Sequence, residues 1–401
     1  MNHDAIIIGA GPAGLITAAT IANRGFDVIV LEEHEEVGVP DHCAGLLSSS
    51  GLNSLGLKPP NDVIQNTVDG ARIFAPSGKS ILVERGQREA YVVDRSKFDS
   101  WLADKAIDCG ANIATSAKVQ DVKLKTEGKH SVIVRDRDSK SERFSQFLVN
   151  AEGSRCQISK SVGLPQVPRK SKYPAYQFEV KGVDVEENLV EMFYGRQISS
   201  GFFAWMIPIG DGRLRIGMAS RDRAKIRLEA AMRNHPVMKE KLRNASIVRG
   251  FGGIVIVGLP VRKTVTNGCI SVGDSAGMVK ATTGGGVIIG GTAAKIAGNI
   301  VTDALQTDDM SKSRLDVYEN RWRALLFREL QVMYLAQKGI TSLSDKGLNS
   351  LISDAQELGL LDIVKREGDM DKQKKVILQL LRDPRMILAG LKAIRYLSPL
   401  L

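Results

Sequence analysis

The sequence has only four cysteines among its 401 residues, Cys43, Cys109, Cys156 and Cys269. They show neither a C-x-x-C motif nor the spacing of metal ligands, so neither a disulfide framework nor a metal site is predicted. This pattern indicates a reducing compartment, and no secretory leader precedes the first predicted strand. We therefore expect a cytoplasmic protein without a bound metal.

The chain also lacks a basic tract interleaved with aromatic residues, although its formal net charge is +10. Lysine and arginine are spread along the sequence, so nucleic acid is the least expected partner. An anionic membrane surface or simple solubility explains the same charge. A small-residue-rich helix predicted from Val287 to Leu305 carries Lys295 and Asp303, which leaves an apolar run well short of the ~20 residues that span a bilayer. We predict a buried helix there.

The stretch around which the chain is organised is AIIIGAGPAG, residues 5–14. Its apolar start is typical of a parallel strand buried on both faces, and Gly9, Gly11 and Gly14 follow in G-x-G-x-x-G spacing. In this motif the first glycine permits a tight turn, the second admits a pyrophosphate, and the third allows close packing of helix and strand. The pyrophosphate then lies at the positive end of the helix.

The residues after the glycines complete a βαβ unit. Small and apolar residues recur at helical spacing until Gly25, which is placed to end the helix in a left-handed conformation. A second apolar strand, Val28 to Leu31, is followed by Glu32, at the distance expected of a carboxylate that accepts hydrogen bonds from a ribose. This order predicts a dinucleotide fold for either FAD or NAD.

A second glycine-rich signature begins at Gly268, GCISVGDSAGMVKATTGGGVIIGG. It predicts a buried strand with Asp274 at its carboxyl end, followed by a loop from Gly284 to Gly286 that opens a helix. The carboxylate can accept hydrogen bonds from ribityl hydroxyls, and the loop offers N–H groups to a flavin and its phosphates. An NAD domain does not need this element, so FAD is favoured.

Between the two signatures lies a region of long predicted strands. The segments 176–182, 189–194, 201–208 and 213–219 are rich in aromatic and β-branched residues, which predicts an antiparallel sheet large enough to form the floor of a substrate pocket. We predict three parts: a discontinuous FAD-binding domain of residues 1–70, 91–165 and 265–305, an antiparallel substrate domain of residues 71–90 and 166–264, and a helical region of residues 306–401.

The helical region contains two predicted amphipathic segments, one near its start and one at its end. In the first, residues 318–337, the predicted inward stripe is Trp322, Leu325, Leu326, Leu330 and Met333. In the tail, the apolar side is predicted to hold Ile387, Leu388, Leu391 and Ile394, with Arg385, Lys392 and Arg395 elsewhere. A basic amphipathic helix can lie in an anionic membrane surface, but a helix that covers the protein's own pocket is the favoured prediction, and both can hold if the charges face lipid headgroups.

Residue type alone assigns no chemistry to His42 or Cys43. A single cysteine is most often a small buried apolar residue, and a single histidine is most often hydrogen-bonded at the surface. Five longer segments carry more information: GAGPAG at 9–14, GVPDHCAGLL at 38–47, YVVDRSKFD at 91–99, FFAWMIP at 202–208 and GDSAG…TGGG from 273 to 286. On these segments the chain resembles the geranylgeranyl reductase family of FAD flavoproteins, particularly the archaeal digeranylgeranylglycerophospholipid reductases.

The resemblance implies an α/β fold: a Rossmann-type FAD-binding domain of the aromatic-hydroxylase-like group, an antiparallel-sheet substrate domain and a C-terminal helical region. It also implies roles for single residues. Cys43 and His42 are the candidate catalytic residues. Phe203, Trp205 and Pro208 are the candidate substrate contacts. The candidate FAD contacts are Gly9, Gly11, Pro12, Ala13, Gly14, Glu32, Cys43, Ala44, Gly45, Arg95, Val119, Gly273, Asp274, Gly284, Gly285, Gly286 and Val287.

The sequence departs from the family pattern at three places. Phe203 replaces the tyrosine of the motif Tyr-x-Trp-x-Phe-Pro, so that a hydroxyl is missing, and Ile207 replaces its phenylalanine. Glu152 stands in a turn that is usually Ala-Asp-Gly, and His42 stands where an arginine is common. These changes affect the expected substrate contacts more than the expected fold.

The expected activity is the reduction of isoprenoid double bonds in geranylgeranyl chains of membrane-lipid precursors. Its electrons are expected from NAD(P)H or a ferredoxin-like carrier, and peripheral contact with a membrane surface is an expected partner interaction. The alternative is an FAD-dependent monooxygenase or halogenase of an aromatic compound, and a non-enzymatic electron relay is a third class. The first two share the glycine motif and Asp274, but the alternative does not require a loop with a cysteine.

Overall fold

The computed structural model describes residues 2–125, 129–136 and 139–394, to which all structural statements refer. Its strands, in chain order, are β1 Asn2–Ile8, β2 Val28–Leu31, β3 Leu46–Ser48, β4 Ile64–Val68, β5 Gly70–Phe74, β6 Ser80–Glu84, β7 Ala90–Val93, β8 Asn112–Ala114, β9 Ala117–Lys123, β10 His130–Asp136, β11 Ser139–Asn150, β12 Lys172–Lys181, β13 Leu189–Phe193, β14 Ala204–Gly210, β15 Arg213–Ala219, β16 Ser246–Ile256, β17 Val265–Thr266 and β18 Cys269–Ser271.

Helices occur in two groups, interspersed among the strands and gathered after β18. They are α1 Pro12–Ala22, α2 Ser49–Ser54, α3 Arg95–Asp108, α4 Gln157–Ser161, α5 Ala224–Asn234, α6 Pro236–Lys241, α7 Val287–Thr307, α8 Lys312–Trp322, α9 Arg328–Ser342, α10 Asp345–Glu357, α11 Leu361–Glu367, α12 Lys374–Arg382 and α13 Pro384–Ile394. Short 3₁₀ turns occur at Gly153–Arg155, Arg169–Ser171 and Gly273–Ala276, and a π-helical turn, Arg323–Phe327, joins α8 to α9.

The first sheet has the order β17-β18-β11-β1-β2-β8, and β9 and β10 extend it from β11. The pairs of β1 with β2 and β11, and of β11 with β18, are parallel, so their carboxyl ends meet at one edge. Glu32, Ala151 and Val272 follow those ends. Strands β1 and β2 are apolar on both sides because both faces of the sheet are covered. Ile7 and Val30 pack into the core on one face, and Ile8 and Leu31 pack into the core on the other.

Helices α1 and α7 pack closely against each other beneath this edge. A Cβ on Gly298 would lie 2.5 Å from the Thr20 side chain, so glycine is what permits the approach. Gly25, at φ +86°, ends the turn after α1 as predicted. Helix α7 is mostly buried, as expected, and among the described helices none combines the length and hydropathy needed to cross a bilayer.

The second sheet has the order β16-β12-β15-β14-β13-β5-β6, and a small sheet, β3-β7-β4, connects it to the first. Side chains of the strands in the second sheet alternate between its two faces. One face, with Met206, Leu214 and Ile216, packs on Leu228 of α5 and Met238 of α6. The opposite face looks toward the carboxyl edge of the first sheet, and the space between them holds the candidate site.

The helical region corrects one sequence prediction. Trp322, Leu326, Leu330 and Met333 are buried as expected, but Leu325 is 58% exposed. It lies in the π-helical turn, where the extra residue changes the angular position of the side chains relative to a regular 3.6-residue period. The predicted inward stripe was therefore wrong at this residue.

The tail helix α13 packs along α10 through the buried Ala389. Ile387 and Leu388, predicted to share its apolar side, are 50% and 52% exposed. The side chains of Leu391 and Ile394, and all of Arg395, lie outside the described residues. The helix that covers the protein's own pocket is the preceding one, α12, since Val376, Ile377 and Leu380 line the cavity.

Candidate active site

A cavity of about 1030 Å³ separates the two large sheets. It begins at the carboxyl edge of the first sheet, runs along the second sheet and is closed by α9, α11 and α12. Every candidate site residue predicted from the sequence lines it except Pro208. The chain thus brings residues from its beginning, middle and end to one space.

The glycine motif forms a cradle at one end of the cavity. A Cβ on Gly9, at φ +99°, would lie 2.5 Å from the Ala151 carbonyl oxygen, and one on Gly14 would lie 2.1 Å from that of Gly9. Gly11 differs, because a Cβ there would meet no atom within 4 Å. Gly11 lines the cavity at the start of α1, so the open space beside it fits a pyrophosphate at the helix N-terminus.

Glu32 faces the cradle from the end of β2. Its Oε2 accepts a 2.8 Å hydrogen bond from the Ala10 backbone N–H, and its Oε1 lies 2.6 Å from His34 Nδ1. The carboxylate is 9% exposed. Next to it, burial tends to raise the pKa of Glu33, but the Lys118 hydrogen bond and the charge of Arg155 outweigh this and lower it. These groups give this end of the cradle a hydrogen-bonding rim.

Arg95 and Asp274 meet the cavity beyond the cradle. Arg95 donates from Nε and Nη2 to the two oxygens of Asp99, at 3.1 and 2.8 Å. Burial raises the pKa of Asp99, and the positive charge of Arg95 opposes that rise. Removal of Asp274 from bulk water raises its pKa, again opposed by Arg95. Arg95 is therefore the positive charge that opposes the rise of the pKa at both carboxyl groups.

The glycine loop from Gly284 to Gly286 lies beside Asp274, and a Cβ on Gly286 would come within 2.8 Å of Asp274 Oδ1. Lys280 closes this loop through its backbone, which accepts a hydrogen bond from Gly284 N–H and donates one to the Gly285 carbonyl. Its side chain is buried and donates to Asp371 at 2.5 Å and to the Met370 carbonyl at 3.0 Å.

Cys43 lies half-buried in the cavity wall, and His42 beside it is exposed. The Cys43 N–H donates to Asp41 Oδ1 at 3.0 Å, and Sγ accepts from the Gly45 N–H at 3.5 Å. The carbonyl of Cys43 accepts from Gln177 Nε2 at 3.0 Å. The Cys43 loop, residues 41–45, is thus held to the second sheet as well as within itself.

The apolar wall of the cavity consists mainly of the second sheet's inner face and the segment before β14. Phe202 and Phe203 stack with centroids 4.3 Å apart, and Trp205 meets Phe203 edge-on at 6.1 Å. Tyr194 also contacts Phe203, at 5.3 Å, and burial raises the pKa of its hydroxyl. The Tyr194 ring thus lies beside Phe203, the position where the family motif has its tyrosine.

The structure corrects the prediction for Pro208. Trp205 and Ile207 point into the cavity, and Pro208, like Met206, belongs to the other face of β14 because strand side chains alternate. Pro208 is buried, and its carbonyl accepts a hydrogen bond from Asn66. Ile207 is the residue of this segment that lines the cavity.

Sequence reasoning missed four polar residues: Gln177, Arg215, Lys280 and Asp371. They are at most 7% exposed, and each forms a hydrogen bond to a residue more than 85 positions away. For Gln177, Arg215 and Lys280 the local signal is a polar residue within a largely apolar segment, as for Arg215 in the strand RLRIGMA, whereas Asp371 lies among polar, partly exposed residues and has no such signal. Such residues need a partner when buried, but the sequence does not name it.

Comparison with known proteins shows the family to which the chain belongs. The family described as FAD binding domain matches residues 2–248. Digeranylgeranylglycerophospholipid reductase 2 of Methanopyrus kandleri is 32% identical over 94% of this chain and 96% of its own length. The crystal structure of a geranylgeranyl bacteriochlorophyll reductase-like protein from Thermoplasma acidophilum is 25% identical, with a TM-score of 0.86 over 98% of both chains.

A myxobacterial chondrochloren halogenase, 20% identical with a TM-score of 0.70 over 97% of both chains, shares the fold alone. The predicted fold class and the FAD cofactor are confirmed by these matches together with the sheets described above. The chain belongs to the FAD-binding-domain family and, within it, to the family of the digeranylgeranylglycerophospholipid reductases.

Proposed function

We propose that this protein is an FAD-dependent reductase of isoprenoid C=C double bonds in the geranylgeranyl chains of membrane-lipid precursors. The observation that carries the proposal is the continuity of the cavity, which leads from the glycine cradle past Cys43 to the aromatic wall at Trp205. Burial of a hydrocarbon chain against such an apolar wall lowers its free energy, and a polar aromatic substrate does not need an apolar wall that continues past Cys43.

Residues of the cradle and of the cavity wall beyond it are proposed to hold the cofactor. Glu32 would bind the adenosine ribose, Arg95 and Asp274 the ribityl and phosphate portion, and the loop Gly284–Gly286 the flavin ring. In this proposal residues 1–70, 91–165 and 265–305 form the cofactor domain, and residues 71–90 and 166–264 hold the substrate. Residues 306–401 are the helical region, of which α9, α11 and α12 close the cavity.

The chemistry divides between the cofactor and the chain. When bound, the reduced flavin supplies the hydride. The protein positions the substrate. Phe203 and Trp205 exclude water from the isoprenoid chain, and Cys43 lies at the cavity wall, where its Sγ accepts a hydrogen bond from the Gly45 N–H. The second carbon of the alkene needs a proton, and Cys43, His42 and an ordered water are the candidate donors. Cys43 is proposed as the group that orients the reacting double bond.

The proposal extends to the partners. The substrate is an isoprenoid lipid, and the electrons come from NAD(P)H or a ferredoxin-like carrier that docks transiently. The structure describes one cradle with G-x-G-x-x-G geometry among its residues, and that cradle is the one proposed for FAD. A nicotinamide or a carrier protein would therefore have to reach the flavin through the open part of the cavity.

An anaerobic titration tests the activity. The purified flavoprotein is reduced with dithionite, and a digeranylgeranyl phospholipid is added while flavin reoxidation is followed by absorbance. Reoxidation by the lipid is expected in the wild type and in Cys109→Ala, and a large loss of rate is expected in Cys43→Ala. A flavin that stays reduced with the lipid, yet reoxidises in air while an aromatic acceptor is oxygenated or halogenated, would replace the proposal with the monooxygenase alternative.

We further propose that α12 and α13 rest on an anionic membrane surface. Helix α12 lines the cavity with one side and exposes Leu381 on another, and α13 exposes Ile387 and Leu388 nearby. Arg382 and Arg385 lie in the same segment, and such basic amphipathic helices bind anionic headgroups. A lipid chain could then pass from bilayer to cavity beside α12.

Vesicle sedimentation tests this contact. Binding to phosphatidylglycerol vesicles is expected to exceed binding to phosphatidylcholine vesicles and to fall in the double variant Ile387→Glu with Leu388→Glu. Ile226 of α5 is also an exposed apolar residue, 61% exposed, so Ile226→Glu is the matched control. Equal losses in both variants would contradict a role for this segment.

A further inference from the structure

Three residues lie side by side across neighbouring strands of the second sheet. Gly217 of β15 pairs with Gln177 of β12 on one side and with Trp205 of β14 on the other. A Cβ on Gly217 would lie 2.5 Å from the Trp205 ring and 2.6 Å from Gln177 Cβ. The missing side chain is therefore what lets the indole lie across the middle strand and reach Gln177.

Gln177 joins the substrate wall to the Cys43 loop. Trp205 donates its Nε1–H to Gln177 Oε1 at 3.3 Å, and Gln177 Nε2 donates to the Cys43 carbonyl at 3.0 Å. The indole can only donate and the carbonyl can only accept, so the two partners fix the orientation of the amide. Because Gln177 is 3% exposed, water does not compete strongly for these bonds.

Arg215, two residues before Gly217 on β15, holds the same loop at a second point. It is fully buried, and its Nη1 donates to the carbonyls of Ala44 and Val93 at 3.0 and 3.2 Å. A Cβ on Gly45, at φ +78°, would lie 2.3 Å from the Val93 carbonyl oxygen, so the loop sits tightly on its support. Arg215 thus fixes the base of the loop, while Gln177 is its hydrogen-bonded link to Trp205.

We propose that Gln177 is a positioning residue that couples the contents of the apolar cavity at Trp205 to the placement of the Cys43 thiol. The proposal rests on the proposed function, in which the isoprenoid chain packs on Trp205. A chain that presses the indole toward Gly217 keeps the Gln177 amide directed at Cys43. The thiol is then correctly placed when a substrate chain fills the cavity.

A double-mutant cycle tests the coupling without requiring turnover. The FAD-loaded protein carries Cys109→Ser. Of the three cysteines that remain, Cys156 and Cys269 are buried, so that Cys43 is the one open to alkylation. The rate of Cys43 alkylation by iodoacetamide is measured by peptide mass spectrometry in Trp205→Phe, in Gln177→Leu and in the double variant. Gln146→Leu, whose amide donates to Asp4 in the first sheet, is the matched control.

The expected result is that Trp205→Phe changes the alkylation rate about three- to tenfold, the effect of one hydrogen bond, and has no further effect once Gln177 is leucine. Gln177→Glu, which keeps an acceptor for the indole and lacks the donor to Cys43, should behave like Gln177→Leu. It also serves if the leucine variant fails to fold. Equal effects of Trp205→Phe with and without Gln177 would overturn the proposal.

A separate measurement keeps the two proposals apart. A digeranylgeranyl phospholipid in detergent micelles is added to the FAD-loaded Cys109→Ser protein, in which Trp205 and Gln177 are unchanged. Protection of Cys43 from alkylation by iodoacetamide is then recorded. Absence of protection, with the coupling between Trp205 and Gln177 intact, counts against the lipid substrate alone. Protection together with additive effects in the cycle counts against Gln177 alone.

Discussion

Lys280 donates to Asp371 across 91 positions of sequence, at 2.5 Å, with both side chains less than a tenth exposed. The lysine belongs to the segment that shapes the glycine loop, and the aspartate belongs to the turn between α11 and α12. Thr282 and Gln373 form a 2.7 Å hydrogen bond beside the pair. This contact therefore joins the loop Gly284–Gly286, which is proposed to hold the flavin ring, to the helices that close the cavity.

Asp371→Ala is expected to destabilise the protein by about 3 kcal/mol, since it leaves the buried Lys280 charge uncompensated. The control is Asp316→Ala, which removes an exposed partner of Lys312 and should cost less than about 1 kcal/mol. The double change Lys280→Met with Asp371→Leu should recover part of the loss. Urea unfolding measures all three, and equal midpoints for the two single variants would contradict the importance of the buried pair.

Gly11→Ala is expected to leave the fold intact and to weaken FAD binding about tenfold or more, because its Cβ would project into the open space proposed for the pyrophosphate. Gly14→Ala should impair both folding and binding, since its Cβ would meet the Gly9 carbonyl oxygen. Gly339→Ala, where nothing lies within 4 Å, is the control and should leave FAD unaffected. FAD release on dilution provides the measurement, and unchanged release in Gly11→Ala would contradict the cradle.

Thiol reactivity should separate the four cysteines into two pairs. Cys43 and Cys109 are half-buried, whereas burial raises the pKa of Cys156 and raises that of Cys269 to about 12. Because thiolates are the reactive species, a maleimide at neutral pH should label Cys43 and Cys109 in the native protein and all four after unfolding in urea. Native labelling of Cys269 as fast as that of Cys109 would contradict the described packing.

Stability should fall as the pH drops below neutrality, in part through His235. Burial lowers the pKa of His235, and that of His130 in the same way. An unfolded histidine titrates near pH 6.5, so below that value the unfolded state binds more protons than the folded state. The stabilisation is complete above pH 6.5 and is lost as the pH falls toward the folded-state pKa.

His235→Asn is the variant that checks this dependence. His235 caps α6 by accepting from the Met238 N–H, and asparagine can also cap a helix. The expected result is a smaller drop in urea midpoint between pH 7 and pH 5 than in the wild type, with a remaining drop due to His130. An identical pH dependence in both proteins would show that His235 does not contribute.

Local sequence was sufficient where neighbouring residues determine the structure. The strand Val28–Leu31 occurs with the predicted bounds and helix α7 begins at the predicted Val287, because apolar runs and helical spacing act over a few residues. The glycine spacing likewise predicted the close packing at Gly14, where a Cβ would meet the Gly9 carbonyl oxygen of the same βαβ unit, whereas the close neighbour of Gly9 is Ala151, which lies far along the chain.

Contacts between residues that are far apart in the sequence could not be predicted from it. Nothing near Gln177 or Arg215 in sequence indicates that they bind carbonyls 134 and 171 positions earlier. Leu325 was misplaced because one π-helical turn changes the helical period, and Pro208 because the face of a strand follows from its register in the sheet. These are properties of tertiary packing, which overrides local pattern.

The most direct test of the central claim is the mass of the lipid product after a single anaerobic turnover. Dithionite-reduced protein is mixed with a digeranylgeranyl phospholipid, and the lipid is extracted and analysed by mass spectrometry. The account predicts the gain of one pair of hydrogens for each double bond reduced, with Cys43→Ala far slower than Cys109→Ala. A lipid recovered unchanged while the flavin remains reduced would contradict it.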